Sequence, residues 1–499
     1  MLYKVNESSF HIIENEYVKN NPFLTMETED TTLPTYEESK DKLPIPYWEG
    51  HNSTIDCYNK AWEIAFSNLR KPIKENGFVS NFIDTAFNGY LFMWDSSFIT
   101  MFGKYAVRIF NSQKTLDNIY SHQHRDGFIC REIHETQNGE FWHRDDPCST
   151  GPNVLAWSEW EYYKTTGDKE RLSQVFYPLI AYHRWLYLNR TWQDGTYWSC
   201  GFACGMDNQA RMEKGYCPLG SHGHMVWVDI CAQMLISGKT ILKMAKELDS
   251  DEDLSWIKEE VEYLSKIINE KLWDEEDGFY YDLWRGDRRS KIMTIGAYWN
   301  LLADIVPKDR LDRFVAHLDN EKEFKRYHRV SSFPATSPDF REDGGYWLGS
   351  VWAPTNYMIL KGLRKNGYEK MAFEIAENHV ENVVKVFEET GTLWENYSSE
   401  FDKPGNPARP DFVGWTGLSP ISILFEYVFG IEPISSERKI IWNINLDEKF
   451  GVKQYPFLDG SVDLEFEGIE NGKPVVKVKS DLDFDLVIKY NGEEIKYIG

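Results

Sequence analysis

Nowhere do eighteen apolar residues run together, so no segment reads as a membrane-spanning helix. Positive charge is also short. Fifty-five Lys and Arg stand against 79 Asp and Glu, a formal net charge of −24. That balance argues against nucleic acid and anionic membrane as partners, since both need basic surface. Small neutral ligands stay open. No basic flank followed by an apolar block lies between Met1 and Glu14, so no secretion signal is read and a cytoplasmic setting is expected. Metal signatures are missing too. The seven cysteines, Cys57, Cys130, Cys148, Cys200, Cys204, Cys217 and Cys231, match no zinc spacing, and their odd number reads as free thiols. The acidic loop Trp273–Asp282 lacks the ligand spacing and closing Glu of a calcium-binding loop. No metal and no cofactor is expected.

What the chain has in excess is aromatic side chains, 15% of residues with 19 Trp. That is more than a core needs and suggests stacking platforms for ring-shaped ligands. At 499 residues the chain can bury a large core. Residues 1–50 are polar and punctuated by Pro22, Pro34, Pro44 and Pro46, which reads as an extended arm wrapping the main domain. Helical spacing begins at about Ile55, with Tyr58, Ala61, Trp62, Ala65, Phe66 and Leu69 on one face. Twelve helices are expected from there to Val428, among them Ser96–Phe110, Asp168–Arg190 and Tyr368–Glu388. Short turns and long aromatic loops alternate between them. This fits a mainly α fold, an (α/α)6 barrel of six hairpins over residues 51–432 with the long loops gathered at one end. After Pro433 the pattern turns to alternation and β-branching, as in Ser461–Glu467 and Pro474–Lys479, so residues 433–499 read as a small all-β appendage.

Three acids stand among aromatics. Asp207, in Gly205-Met-Asp-Asn-Gln-Ala-Arg211, is the only carboxylate between Gly195 and Arg211. Buried in an apolar loop it would have a raised pKa and suit a general acid. It could equally cap a turn or pair with Arg211. Asp95 follows Trp94 where an N-cap could sit, or else accepts a sugar hydroxyl proton. Glu395 lies between Trp394 and Asn396-Tyr397, as a second reacting carboxylate or as a surface acid. Glycoside hydrolysis needs two carboxylates across the anomeric carbon, which loops at one end of a barrel can bring together.

Five motifs in order carry a resemblance. They are Met93-Trp94-Asp95-Ser96-Ser97-Phe98, Cys204-Gly205-Met206-Asp207-Asn208, Tyr346-Trp347 through Trp352-Ala353-Pro354, Trp394-Glu395-Asn396-Tyr397, and Gly414-Trp415-Thr416-Gly417. Together the chain resembles the inverting (α/α)6-barrel glycosidases: trehalases, the glucosidase I family, and especially mannosylglycerate or glucosylglycerate hydrolase-like proteins. The resemblance implies Asp207 as general acid and Glu395 as general base. It places Trp94 and Asp95 at the non-reducing sugar. It puts Tyr346, Trp347 and Trp352 on the pocket wall, together with Trp394 and Tyr397, and adds Glu400, Arg131 and Trp415 as further contacts. The carboxyls of an inverting pair are expected roughly 6.5–9.5 Å apart, leaving room for water. The trehalase runs Glu-Ser-Gly-Trp-Asp and Gln-Trp-Asp-Ala-Pro are replaced here by Ala203-Cys-Gly-Met-Asp207 and Tyr346-Trp-Leu-Gly-Ser-Val351, which points away from trehalose. The loop Gly139–Thr150 could reshape the pocket. The expected substrate is a small α-linked glucoside or mannoside, a glycosyl-glycerate or an oligosaccharide end. An α-L-rhamnoside, trehalose, or sugar binding without turnover stand as alternatives.

Overall fold

The computed structural model describes residues 3–5, 11–86, 88–137 and 139–497. Phe87 in the first aromatic loop, and part of the Met1–Glu14 stretch, lie outside them.

Twelve helical segments among the described residues build the barrel, named α1 to α12 in order, apart from short helical turns such as Tyr36–Ser39 and Gly201–Cys204. They are α1 (Asn52–Ser67), α2 (Met93–Gly103), α3 (Asp117–Tyr120, entered through a 3-10 turn at Ser112–Leu116), α4 (Leu155–Thr166), α5 (Lys169–Asn189) and α6 (Val228–Glu247). Then come α7 (Ser255–Ile267), α8 (Trp299–Ala303), α9 (Lys308–Ala316), α10 (Ala353–Lys365), α11 (Glu369–Thr390) and α12 (Ser419–Val428, wound as a π-helix after a 3-10 turn at Thr416–Leu418). The even-numbered ones form a ring. α2 packs on α4, α4 on α6, α6 on α8 and α8 on α10. The turn at Thr416–Leu418 joins α10 back to α2. The others back this ring from outside, α5 against α4 and α6, α7 against α6, and α11 against α10 and α12. This is an (α/α)6 barrel.

The sequence encodes which layer each helix takes. A helix enclosed on all sides must be apolar or small all round, and an outer one needs only a stripe. All eleven residues of α2 are buried. In outer α7 only Ile257, Glu260 and Leu264 are. Local signals set the ends: Asp168 accepts from the Arg171 amide at 2.9 Å to start α5, and Gly167 turns the chain at φ +68° just before it. The seam of the ring is tight. A Cβ on Gly417 would lie 2.7 Å from the Phe102 ring of α2, so only glycine lets these two segments meet.

Ten strands matter here. β1 is Ile45–Trp48, β2 is Tyr90–Phe92 and β3 is Glu132–His134. Then follow β4 (Ile431–Ile434), β5 (Lys439–Asn443), β6 (Phe450–Phe457), β7 (Gly460–Glu470), β8 (Lys473–Ser480), β9 (Asp485–Tyr490) and β10 (Glu493–Tyr497). β2 and β3 form a short antiparallel ribbon beside α2. The C-terminal region is two four-stranded sheets, ordered β4-β5-β9-β10 and β8-β7-β6-β1. The first fifty residues therefore put a strand into the C-terminal region: Trp48 pairs with Phe450 and Ile45 with Lys453. Phe450 also packs on Phe429, Trp442 and Phe466, with ring centroids 5.0–5.9 Å away, and so ties the last helix to both sheets. No described helix is long and apolar enough to cross a membrane.

Candidate active site

A cavity of about 240 Å3 opens where the ring helices begin. Trp94 and Asp95 reach it from the first turn of α2, Arg131 and Glu132 from the ribbon, and Pro152 from the turn before α4. Gly205 and Asp207 come from the loop ahead of α6, Tyr346 and Trp347 from the loop ahead of α10, and Trp415 from the entry to α12.

Asp207 is held by its neighbours. The turn Gly201–Cys204 ends at Gly205 with φ +77°, and a Cβ there would lie 3.1 Å from the Trp94 ring and 3.2 Å from Pro152. Gly205→Ala is therefore expected to cost about 1 kcal/mol or more in left-handed strain. It should also push Trp94 out of place, seen as a lower Tm together with a raised KM. Asn208 clamps the acid loop to the next one: its Nδ2 donates to the Gly345 carbonyl at 2.9 Å and its Oδ1 accepts from the Trp347 amide at 3.0 Å. Arg211 is committed elsewhere, to Asp229 and Asp282 at 2.6 Å each, so it does not pair with Asp207. The Asp207 carboxyl opens to the cavity but is packed closely enough that burial pushes its pKa up to about 6, against the pull of Arg131.

Glu395 is 3% exposed and lies behind Tyr346. Its Oε1 accepts from the Tyr346 hydroxyl at 2.8 Å, its Oε2 accepts from the Arg409 amide at 3.2 Å, and its carbonyl accepts from Trp415 Nε1 at 2.7 Å. Tyr346 itself holds φ +67°, a conformation a tyrosine adopts only where its surroundings impose it. Burial raises the Glu395 pKa, the Tyr346 and Arg409 donors oppose this, and the Asp207 charge adds to the rise. A hydrogen bond to the ionised form favours that form. Tyr346→Phe should then raise the Glu395 pKa further and move the acid limb of the kcat/KM pH profile upward. An unmoved limb would show that the bond does not tune Glu395.

Asp95 does not cap its helix. α2 starts at Met93, two residues earlier, because its apolar face continues through Trp94. Asp95 is instead buried in the first turn and faces the cavity. Burial holds its pKa well above the carboxylate range, and Glu395 and Asp207 raise it further. Three carboxylates thus converge and repel one another.

Four other residues expected on the wall are placed differently. Trp352 is fully buried behind Trp347, the two rings parallel with centroids 4.0 Å apart, so it backs the wall without reaching the cavity. Trp394 points to Thr390, with Nε1 to Oγ1 at 3.1 Å. The Tyr397 hydroxyl turns back to accept the Trp394 amide at 3.2 Å, and the ring is 2% exposed. Glu400 is taken up by Arg326, whose Nη2 donates at 3.1 Å. Conversely, Phe141, Trp142 and Phe202 line the cavity and were not singled out by sequence, although the loop Gly139–Thr150 that carries the first two was. The Arg131 guanidinium lies 5.7 Å from the Trp142 ring centroid and 5.4 Å from that of Phe202. No spacing in the sequence ties these aromatics to Arg131.

Comparison with known proteins identifies the family of the chain. An uncharacterized protein of Borreliella burgdorferi is 25% identical over 417 residues, covering 80% of this chain and 84% of its own. A probable mannosyl-oligosaccharide glucosidase of Schizosaccharomyces pombe is 25% identical over 283 residues, 54% of this chain but only 33% of that protein. Among solved structures, a GH63 mannosylglycerate hydrolase from Thermus thermophilus in complex with glucose superposes with a TM-score of 0.60. It is 21% identical over 73% of this chain and 99% of that one. Residues 89–406 match the mannosylglycerate hydrolase MGH1-like glycoside hydrolase domain, a span that holds Trp94, Asp207, Tyr346 and Glu395. The chain belongs to that family and is a glycoside hydrolase.

Proposed function

We propose that the protein is an exo-acting, inverting hydrolase of a small α-linked glucoside or mannoside. The observation that carries this is the pair Asp207 and Glu395, from the two halves of the chain: Asp207 lines the cavity, and Glu395 lies just behind Tyr346, close enough for the Asp207 charge to act on it. Asp207, with a pKa near 6, keeps a protonated population close to neutral pH and gives that proton to the glycosidic oxygen. Glu395 takes a proton from the attacking water. Its two oxygens each accept one protein hydrogen bond, and a carboxylate has acceptor capacity for more. Asp95 and Trp94 hold the sugar, the acid by its hydroxyls and the indole by its apolar face. The cavity is small, which suits a short glycoside better than an internal site of a long chain.

Arg131 favours a glycosyl-glycerate within that class. It is the one cation among the described residues lining the cavity; it pairs with Glu132 at 3.3 Å, and its guanidinium has further donors for the one carboxylate of a glycerate aglycone. The test is sugar release from a panel of α-glucosides, α-mannosides, glycosyl-glycerates, trehalose and rhamnosides, with NMR of the first-formed anomer. Release from a glycosyl-glycerate with an inverted anomer is the expected result. A retained anomer would remove Glu395 as the base, and turnover confined to rhamnosides would overturn the substrate class.

A further inference from the structure

The barrel has a second mouth. Its C-terminal end holds a cavity of about 340 Å3, larger than the catalytic one. Lys104 follows α2 and Lys164 lies in the last turn of α4. Lys243 belongs to the last turns of α6, and Lys361, Arg364 and Lys365 close α10. Six cations meet four acids, Glu161, Glu369, Glu426 and Glu432, in a chain whose overall charge is −24.

The cavity has two layers. On the floor, charges balance: Lys104 pairs with Glu426 at 2.9 Å, and Lys361 bridges Glu426 at 2.6 Å and Glu161 at 2.8 Å. The rim sets Lys164, Lys243, Lys365 and Arg364 against Glu369 and Glu432, and Glu369 is also shared with Lys489 at 3.5 Å. Lys164 shares Glu161 at 2.7 Å, a carboxylate already used by Lys361. Lys365 reaches only the Leu302 carbonyl at 3.1 Å and Asp304 at 3.8 Å, and Lys243 lies 5.9 Å from the Trp160 ring centroid. Helix C-termini favour cations, which explains why lysines are here. It does not explain their crowding. Burial, together with Lys243, Lys239 and Lys164, lowers the Lys365 pKa to about 8 against the opposing pull of Asp304. Like charges this close invite a multiply charged anion, which relieves all of them together.

We propose that this distal mouth binds a phosphate group, as inorganic phosphate or as the phosphate of a small sugar phosphate, between Lys164, Lys243 and Lys365. Nζ groups on flexible stems close on a dianion from three sides, and the neutral floor sets its depth. This goes beyond the glycosidase reading and does not depend on it.

Calorimetric titration of the full chain with inorganic phosphate, in buffer of matched ionic strength made up with chloride, tests the assignment. Saturable one-to-one binding is expected, weakened at least tenfold in Lys243→Met/Lys365→Met, which leaves the buried floor intact. Arg131→Met, at the catalytic mouth, should bind as the wild type does. A hexose monophosphate in the second arm distinguishes the sources: tighter binding points to the ester, equal binding to the free ion. If the double variant does not fold, Lys243→Met alone alters one exposed side chain and should still weaken binding severalfold. Phosphate effects no larger than those of chloride, or the same affinity in the lysine variants, or loss in Arg131→Met, would overturn the proposal. Sugar release is not among these readouts, so failure here is separable from failure of the glycosidase reading.

Discussion

Asp207→Asn is expected to lower kcat by about 10²–10⁴-fold while substrate still binds, and to remove the alkaline limb of the pH profile. In the wild type kcat/KM should fall as pH rises through about 6, where Asp207 gives up the proton it must donate. Glu395→Gln should cut turnover by a similar factor and erase the acid limb instead, since that limb marks loss of the base. The same Asp207 variant should be the more stable protein at pH 8. The folded-state pKa is raised, so wild-type stability is greatest below the ordinary aspartate range and is lost as pH rises through about 6. The full shift corresponds to ~3 kcal/mol, and because the carboxyl opens to the cavity about 1–2 kcal/mol is the expected gain. Thermal melts of both proteins at pH 4 and pH 8 check this. A melting difference that does not grow with pH would show that Asp207 is not strained in the fold. Loss of activity without gain of stability would leave it catalytic but unperturbed.

Glu426→Ala should be the most destabilising single change outside the catalytic cavity. Glu426 is 2% exposed and accepts from Lys104, Lys361, Tyr105 and Tyr357, all between 2.6 and 2.9 Å. Burial works against its charge, and the two lysines outweigh burial, holding its pKa below the ordinary range. Removing it leaves two ammonium groups enclosed with one fewer counter-charge. Breaking a buried pair from one side costs roughly 3–5 kcal/mol. Denaturant unfolding should show that loss, and Glu426→Gln, which keeps the acceptors, should lose less. Removing Lys104 together with Glu426 should restore part of it. If the single Ala variant unfolds at the wild-type midpoint, the network is not what joins α2, α10 and α12.

The barrel was legible because twelve helical stretches are joined alternately by short turns and long aromatic loops; the layer each helix takes, buried all round in α2 and striped in α7, emerges only in the structure. The start of α2 was read three residues late, at Ser96. Asp95 resembles a cap in sequence, and only the ring around it shows that the helix already runs through it. In the site, Asp207, Asp95, Trp94, Arg131, Tyr346, Trp347 and Trp415 reach one cavity, and Glu395 lies directly behind it. Of the misplaced residues, Trp352, Trp394 and Tyr397 were read from membership of a motif, and Glu400 from lying just after one. Trp352 illustrates why that fails: it follows Trp347 closely in sequence and stacks on it, and of two stacked rings only the front one meets the cavity. Trp142 and Phe202 were missed because they act through Arg131, and no spacing rule links a loop ahead of α4 to a turn ahead of α6.

The pairing of β1 with β6 has a consequence in time. A chain made from its N-terminus releases Ile45–Trp48 long before Phe450–Lys453. At roughly 5–20 residues per second the interval is on the order of half a minute. Throughout it β1 is a strand edge without its partner, the kind of edge other chains can pair with. The barrel helices can settle in that interval through contacts between near neighbours, which form faster than distant ones. The sheet β8-β7-β6-β1 then closes as a clasp, joining a strand made before the barrel to strands made after it. A nascent chain stalled before Phe450 would carry an assembled barrel and an unclasped, adhesive strand.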